Sequence, residues 1–474
     1  MTENFFSCVR AVGAACRRHP FWARIVAINI LLNLATVAYF YFFTSQGIMQ
    51  TDASEYTGIA RNLFLGNGFS VDANAPFVPD SLRTPGYPFY LLFSYALSGS
   101  FVPAVIAQAL AMAFVPLLIY LLARPHIGEG VLRVAAVLMT IDPHLRFYTV
   151  LIGTEGLFVP VFLGGMFFMV RWLSSPQRVA YAAGAGALFG VAALTRPVFL
   201  YVACIAAVFA GLFFLVRMRQ EFFFGRAFVA AVLFVLVFAG SVAPWYWRNR
   251  EVFGVASFSA IGPVNIYTRL GASVITVRDG VPWKQVLGRF VTDFDRTHGS
   301  ELALGRPLVE NDLYNVRFNS YFWSETKNII RENPVPFLKL EAISLVNYFT
   351  YDTMSYIFID RAGLPLGAHK TDISALVGGG SGTSSWSGGY MLNLFGRALW
   401  LVYALLAVLG FLVLLRRGER WFVIFLGVLI VSFALATLPV ALSIDARMRV
   451  VILPLYFILV SGGVTLLYER YANI

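Results

Sequence analysis

"WARIVAINILLNLATVAYFYFFTSQGIMQTDASEYTGIARNL", Trp22 to Leu63, joins two stretches of opposite character. The first is an apolar run ending near Phe43, and roughly 20 such residues cross the hydrocarbon core of a bilayer as a helix. The second brings two carboxylates, Asp52 and Glu55, on a helix-like pattern that ends at Gly66-Asn67-Gly68. On a helix Asp52 shares a face with Tyr56, and Glu55 with Ile59. Glycines after the pattern suit a helix stop. An acid pair at the mouth of a span is costly unless it is paired or used.

The rest of the chain repeats the apolar theme. It has 474 residues, of which 58% are hydrophobic and only 13% charged, about half the charge of a typical soluble protein. The fold expected is therefore all-α and polytopic. The formal charge of +11 does not point to nucleic acid, because the basic residues sit in short clusters between apolar runs. Arg17-Arg18, Arg124, Arg171 with Arg178, Arg217 with Arg219 and Arg226, and Arg416-Arg417 with Arg420 follow the positive-inside pattern. The three cysteines, Cys8, Cys16 and Cys204, form neither a disulfide framework nor a metal spacing.

Hydropathy and basic clusters together predict about ten spans with both termini cytoplasmic. They are placed at 22–44, 102–123, 128–141, 156–173, 179–195, 197–216, 226–246, 393–415, 421–440 and 449–468. Residues 1–246 form one membrane module whose first external loop is 45–101, and "GYPFYLLFSYAL" (86–97) reads as an interfacial helix in that loop. Residues 247–392 form a larger external segment, and 393–474 carry the last three spans. Within 247–392 the Gly- and Ser-rich run Leu376–Met391 reads either as a plain linker or as a mobile lid with Trp386 at its tip.

This topology collects charges on the external face: Asp52, Glu55, Arg83, Asp142, His144, Arg146, Glu155, Arg196, Arg248, Arg250, Arg447 and Arg449. Arginine matches phosphate oxygens with its planar fork. An acid beside it can take a proton from an acceptor hydroxyl while the cation stabilises a departing phosphate. Each residue also has a plainer reading. Asp142, before Pro143, suits a helix end; His144 and Arg146 suit a solvated interface; Glu155 can cap the span that follows; and Arg248 and Arg250 can be snorkelling anchors beside Trp245 and Trp247.

Five motifs in this order, "DASEYTGIARNL", "RTPGYPFY", "GTEGLF", "ALTRP" and "PWYWRNREVFG", resemble the GT-C type of lipid-linked-sugar glycosyltransferases. The similarity runs to bacterial aminoarabinose transferases of lipid A and to protein O-mannosyltransferases. It covers about 20–270 and the last spans, not the external segment between.

The resemblance implies Asp52 as catalytic base and Glu155 as a second acid orienting donor or acceptor. It implies Arg83, Arg196 and Arg248 as phosphate or sugar contacts, with Glu55, Tyr56, Arg250, Arg447 and Trp386 as further candidates. Many family members carry Asp-Glu where this chain has Asp52-Ala53, so the role of the family's Glu does not transfer directly to Glu55.

The implied substrate is a polyprenyl-phosphate sugar, undecaprenyl in a bacterium, with transfer to a lipid, glycan or protein hydroxyl at the periplasmic face of the inner membrane. With the five histidines scattered, no metal or other cofactor is expected, and a monomer is expected. A transporter or flippase of a lipid-linked or anionic substrate is the alternative, and it predicts charges at the bilayer midplane.

Overall fold

The computed structural model describes residues 19–175, 178–218, 224–302, 310–365, 388–443 and 445–472. Among them the fold is all-α, and the β-type pairing is an isolated bridge between Met49 and Ile152. Trp386 and most of the Gly/Ser run lie outside the described residues.

The first helix, α1 (Pro20–Phe43), starts on a proline whose fixed φ suits a helix start, and it is apolar almost all round. Then come α2 (Ala53–Leu65), α3 (Gly86–Ser98) and a nearly continuous pair, α4 (Val102–Ala113) and α5 (Val115–Ala123). After α6 (Glu129–Ile141) and the short α7 (Pro143–Thr149) come α8 (Thr154–Ser174), α9 (Val179–Thr195), α10 (Phe199–Met218) and α11 (Phe224–Phe253).

Among the described residues six helices are long and apolar enough to cross a membrane: Pro20–Phe43, Val102–Ala123, Thr154–Ser174, Gly225–Phe253, Gly388–Arg417 and Arg420–Ala441. The other expected spans are also helices. The span expected at 128–141 is α6, whose 13 residues extend only about 20 Å, short of a ~30 Å core. It packs instead against the last long helix.

Phenylalanines interlock at the centre, where Phe158, Phe162, Phe189, Phe199 and Phe433 form mutual ring contacts and are fully buried. Within lipid, such side-chain packing rather than water exclusion holds helices together.

The expected exit at 246 is overrun, since α11 continues to Phe253. The following loop folds back and uses its polar groups there: Trp245 Nε1 donates to Phe258 O (2.8 Å) and Asn249 Nδ2 to Ser257 O (2.7 Å).

The external segment holds α12 (Trp283–Leu302), α13 (Asn319–Glu332) and α14 (Pro334–Thr350) after a helical run over 261–279. Its small core of Val264, Tyr267, Phe294, Val316 and Phe322 takes in Leu82 from the first loop. Ser81 O accepts from Ala260 N (2.9 Å), and Ser259 Oγ donates to Leu82 O (2.6 Å). The segment is therefore fastened to the loop that carries Arg83.

The chain ends in α15 (Gly388–Arg417), α16 (Arg420–Thr437), the short α17 (Ala446–Val450) and α18 (Leu453–Tyr471). Because α15 starts at Gly388, residues 388–391 of the expected Gly/Ser loop are helical.

Candidate functional site

The acid pair lies where its pattern placed it. Asp52 sits at the N-terminal end of α2, and Gly66 ends that helix at φ 80°, its N–H reaching Asn62 O and Leu63 O. Only glycine adopts that left-handed backbone cheaply. Three residues before Asp52, the bridge from Met49 to Ile152, with Ile152 N donating to Ile48 O (2.8 Å), ties the first loop to the second. It sets Asp52 and Glu155 on one face of the bundle. Tyr87 and Gln108 complete the support: Gly153 N donates to Tyr87 Oη (2.8 Å), and Gln108 Nε2 reaches Thr149 O (2.9 Å) and Leu151 O (2.6 Å).

Three carboxylates and three guanidiniums meet there. Asp52 pairs with Arg83 (Nη2–Oδ1 3.2 Å) and with Arg447 (Nη1–Oδ2 2.7 Å). Glu55 takes Arg83 Nε at 2.6 Å. Glu155, with no exposed side-chain surface, accepts from both Arg196 Nη1 and Arg447 Nε at 2.6 Å on the same oxygen, Oε1. Its other oxygen, Oε2, is buried with no hydrogen-bond partner among the described residues. Arg196 also donates to Thr154 Oγ1 (2.9 Å), and Arg83 lies over the Tyr56 ring at 5.0 Å.

Arg196 reaches this cluster because α3 comes very close to the end of α9. A Cβ at Gly86 would stand 2.8 Å from the backbone of Leu194 and Thr195, so no other residue fits there without moving the backbone.

Burial alone would raise the Asp52 carboxyl, but Arg447 and Arg83 outweigh it and hold it at about 2. For Arg83 and Arg447 burial opposes the charge, yet the facing acids, together with Tyr56, push both above the ordinary arginine value. Tyr56 is raised, chiefly by burial.

Two cavities adjoin the cluster, and Arg447 lines both. One of about 770 Å³ includes Asp52, Tyr56, Arg83 and Arg196 and runs along Leu200, Ile205 and Leu435 between α10 and α16. The other, of about 550 Å³, is bordered by Gln50, Tyr148, Asp352, Asn393 and Asp445.

Several expected residues are elsewhere. Arg248 donates to Asp80 O (2.7 Å) and Asn249 Oδ1 (2.8 Å) and stacks on Trp245 at 4.8 Å. It props up the turn that leads to Arg83 and has no contact with the acids, because α11 continues past it and turns its side chain toward Phe69 and Phe253. Arg250 is exposed. Asp142 does cap α7, accepting from Leu145 N. His144 is not solvated, and Arg146 is half-buried. His144 is fully buried, 3.0 Å from Asp352 and 3.5 Å from Asp142, and Arg146 binds Asn33 of α1 (2.7 Å) and Thr140 O. Arg449 is buried as well, giving two hydrogen bonds to carbonyls of 348 and 351 and lying over Trp400. Among the described residues no group of three or more His, Cys, Asp or Glu side chains is placed to hold a metal ion.

Residues 82–247 match the family of dolichyl-phosphate-mannose-protein mannosyltransferases. The matched stretch is roughly a third of the chain. It contains Arg83, Glu155 and Arg196 and stops one residue before Arg248, whereas Asp52 and Arg447 join it through geometry. Among solved structures, the chain is similar to the oligosaccharyltransferase of Archaeoglobus fulgidus in its apo form. The identity is 13%, with 95% of this chain and 51% of that one covered, at a TM-score of 0.49. The chain thus spans about half the length of that protein. It is also similar to ArnT from Cupriavidus metallidurans bound to undecaprenyl phosphate (14% identity, 95% and 79% covered, TM-score 0.39) and in the apo state (16%, 95% and 78%, 0.39). No curated protein matches the chain.

Proposed function

We propose that the protein is a membrane glycosyltransferase that uses a sugar linked to a lipid phosphate and transfers it to a hydroxyl acceptor. The observation that carries this reading is Asp52 held between two arginines, Arg83 and Arg447, where two cavities meet at Arg447. The family match over 82–247 supports the donor class, since that family's name specifies a sugar on a polyprenol-type phosphate.

On this reading the larger cavity takes the donor. Its arginines face the phosphate, and its apolar flank along Leu200, Ile205 and Leu435 takes the start of the prenyl chain. The acceptor enters through the smaller cavity, whose lining acids and amides suit sugar-like hydroxyls. The acceptor oxygen attacks the anomeric carbon and its proton passes to Asp52. The bond from that carbon to the phosphate oxygen breaks, the electron pair leaving with the phosphate onto Arg83 and Arg196. One displacement inverts the anomeric configuration. Glu155, fully buried beneath the cavities, orients the donor site by holding Arg196 and Arg447 through Oε1.

A carboxylate held at about 2 is a weak base while both arginines face it. Three acids and three arginines balance in charge. An arriving phosphate competes for the same guanidiniums, and each one it draws off lets the Asp52 pKa rise toward a useful value. The donor thereby activates the base that consumes it. This reading places the reaction at the periplasmic face of a bacterial inner membrane, with undecaprenyl phosphate as carrier and without a metal.

The test is Asp52→Asn in purified, reconstituted protein. The variant should stay folded and keep donor binding while sugar transfer falls by about 10²- to 10⁴-fold. Wild-type transfer by that variant would sink the reading. Transport of an unmodified lipid-linked sugar by both forms would favour a flippase.

A further inference from the structure

A second polar pocket lies at the far end of the bundle. On α8, Glu155 and Arg171 are separated by 16 residues, about 24 Å along a helix axis. Around Arg171 the loop after α5, the end of α8 and the start of α9 enclose a cavity of about 220 Å³, several times the volume of one water. Arg171 and Arg178 line it, and neither has a carboxylate partner among the described residues. Arg171 rests over Phe167 (5.1 Å), and Arg178 gives a hydrogen bond to Tyr181 Oη (3.3 Å).

The observation that points to a ligand is His126. Its side chain is almost wholly buried, with Nδ1 2.9 Å from Glu419 Oε2 and the ring stacked 4.5 Å from Phe422. The other nitrogen, Nε2, is buried with no partner among the described residues, and His126 is part of the cavity lining. Glu419 stands on the opposite edge of the ring and is also held by Trp421 Nε1 (2.6 Å). With Nδ1–H given to Glu419, and with burial and the nearby Arg171 holding its pKa below the ordinary histidine value despite Glu419, the neutral ring is favoured and Nε2 is a buried acceptor. Two guanidiniums without a carboxylate partner among the described residues call for an oxyanion, and the buried ring acceptor beside them calls for a hydroxyl. The apolar wall of Leu122, Phe167 and Val170 calls for an amphiphile, and a pocket at the end of a membrane-length helix stands at headgroup level.

We propose that this pocket binds the phosphate of an anionic membrane lipid in the leaflet opposite the candidate active site, with Arg171 and Arg178 as donors to the phosphate and His126 Nε2 as acceptor for a headgroup hydroxyl. The site is independent of the glycosyltransfer reading.

Native mass spectrometry of the full chain, released from micelles doped with phosphatidylglycerol or phosphatidylcholine, tests it. Phosphatidylglycerol should be retained in preference, and Arg171→Gln with Arg178→Gln should weaken that retention about fivefold for each arginine. Inorganic phosphate should not displace the lipid. Arg178 is exposed, so Arg178→Gln alone keeps the test open if the double variant fails to fold. Equal retention of the two lipids, retention unchanged by the substitutions, or displacement by inorganic phosphate, which would make a soluble phosphate the ligand, would each overturn the proposal.

Discussion

Arg447 Nη1 lies 2.7 Å from Asp52 Oδ2, an ion pair that closes across 395 residues of chain. The same guanidinium holds Glu155 through Nε at 2.6 Å, so one side chain from the start of α17 clasps the first and second loops together. Its neighbour two residues on, Arg449, faces away and binds backbone carbonyls. The two arginines thus divide the work between the two cavities and the scaffold.

Arg447→Gln should destabilise the protein. It leaves Glu155 fully buried with Arg196 alone, and breaking a buried pair costs about 3–5 kcal/mol. Since Arg196 remains, the lower end, about 3 kcal/mol, is expected. Adding Glu155→Gln should recover part of the loss, because the stranded charge is removed too. Unfolding midpoints of the two single variants and the double variant form a cycle, and strict additivity would show that the two residues do not communicate.

Asp52→Asn should lower transfer by about 10²- to 10⁴-fold, the usual range for a positioned acid or base. A folded-state carboxyl held at about 2 is ionised from pH 4 upward. The acid limb of kcat/KM, which reports the free enzyme, should therefore not arise from Asp52 above pH 4. A limb near pH 6 that vanishes in the Asn variant would contradict the arginine clamp.

Arg248 and Arg250 should behave differently from each other. Arg248→Ala removes the donor to Asp80 O and the stacking on Trp245, Phe69 and Phe253, so it should loosen the turn that presents Arg83 and raise KM for the donor. Arg250→Ala, on an exposed side chain, should leave both constants unchanged. Equal losses of kcat in the two variants would restore the direct phosphate or sugar contact that the family resemblance implied for Arg248.

Asp52, Arg83, Glu155 and Arg196, singled out by their place at the ends of apolar runs and by the family resemblance, meet in one cluster. Arg447 stood only among the lesser candidates, since a contact over hundreds of residues leaves no periodic trace. His144 looked solvated because its partner Asp352 lies in the external segment. The docking of that segment on Leu82 leaves no local trace in the sequence. Arg248 was misplaced because α11 runs on to Phe253 instead of ending at 246, and the side chain therefore points to a different face. Charges flanking spans are legible one by one; which of them meet is decided by the packing of distant helices.

Asp80 offers the last test. Burial pushes its carboxyl up to about 6, against the pull of the Arg83 backbone N–H (2.9 Å to Oδ1) and guanidinium and with a small push from Glu55. An acid whose folded pKa exceeds its unfolded value binds more protons when folded, so stability falls as pH rises from about 4 to about 6 and stays lower above. Asp80→Asn keeps an Oδ1 acceptor for the Arg83 N–H and removes the buried charge. It should therefore be more stable than wild type at pH 7, by about 1–2 kcal/mol once partial exposure is allowed for, and should lose the slope between pH 4 and 6. Unfolding midpoints of both forms across that range decide it. A variant less stable than wild type at pH 7 would mean that the ionised Asp80 is needed to hold Arg83 in place.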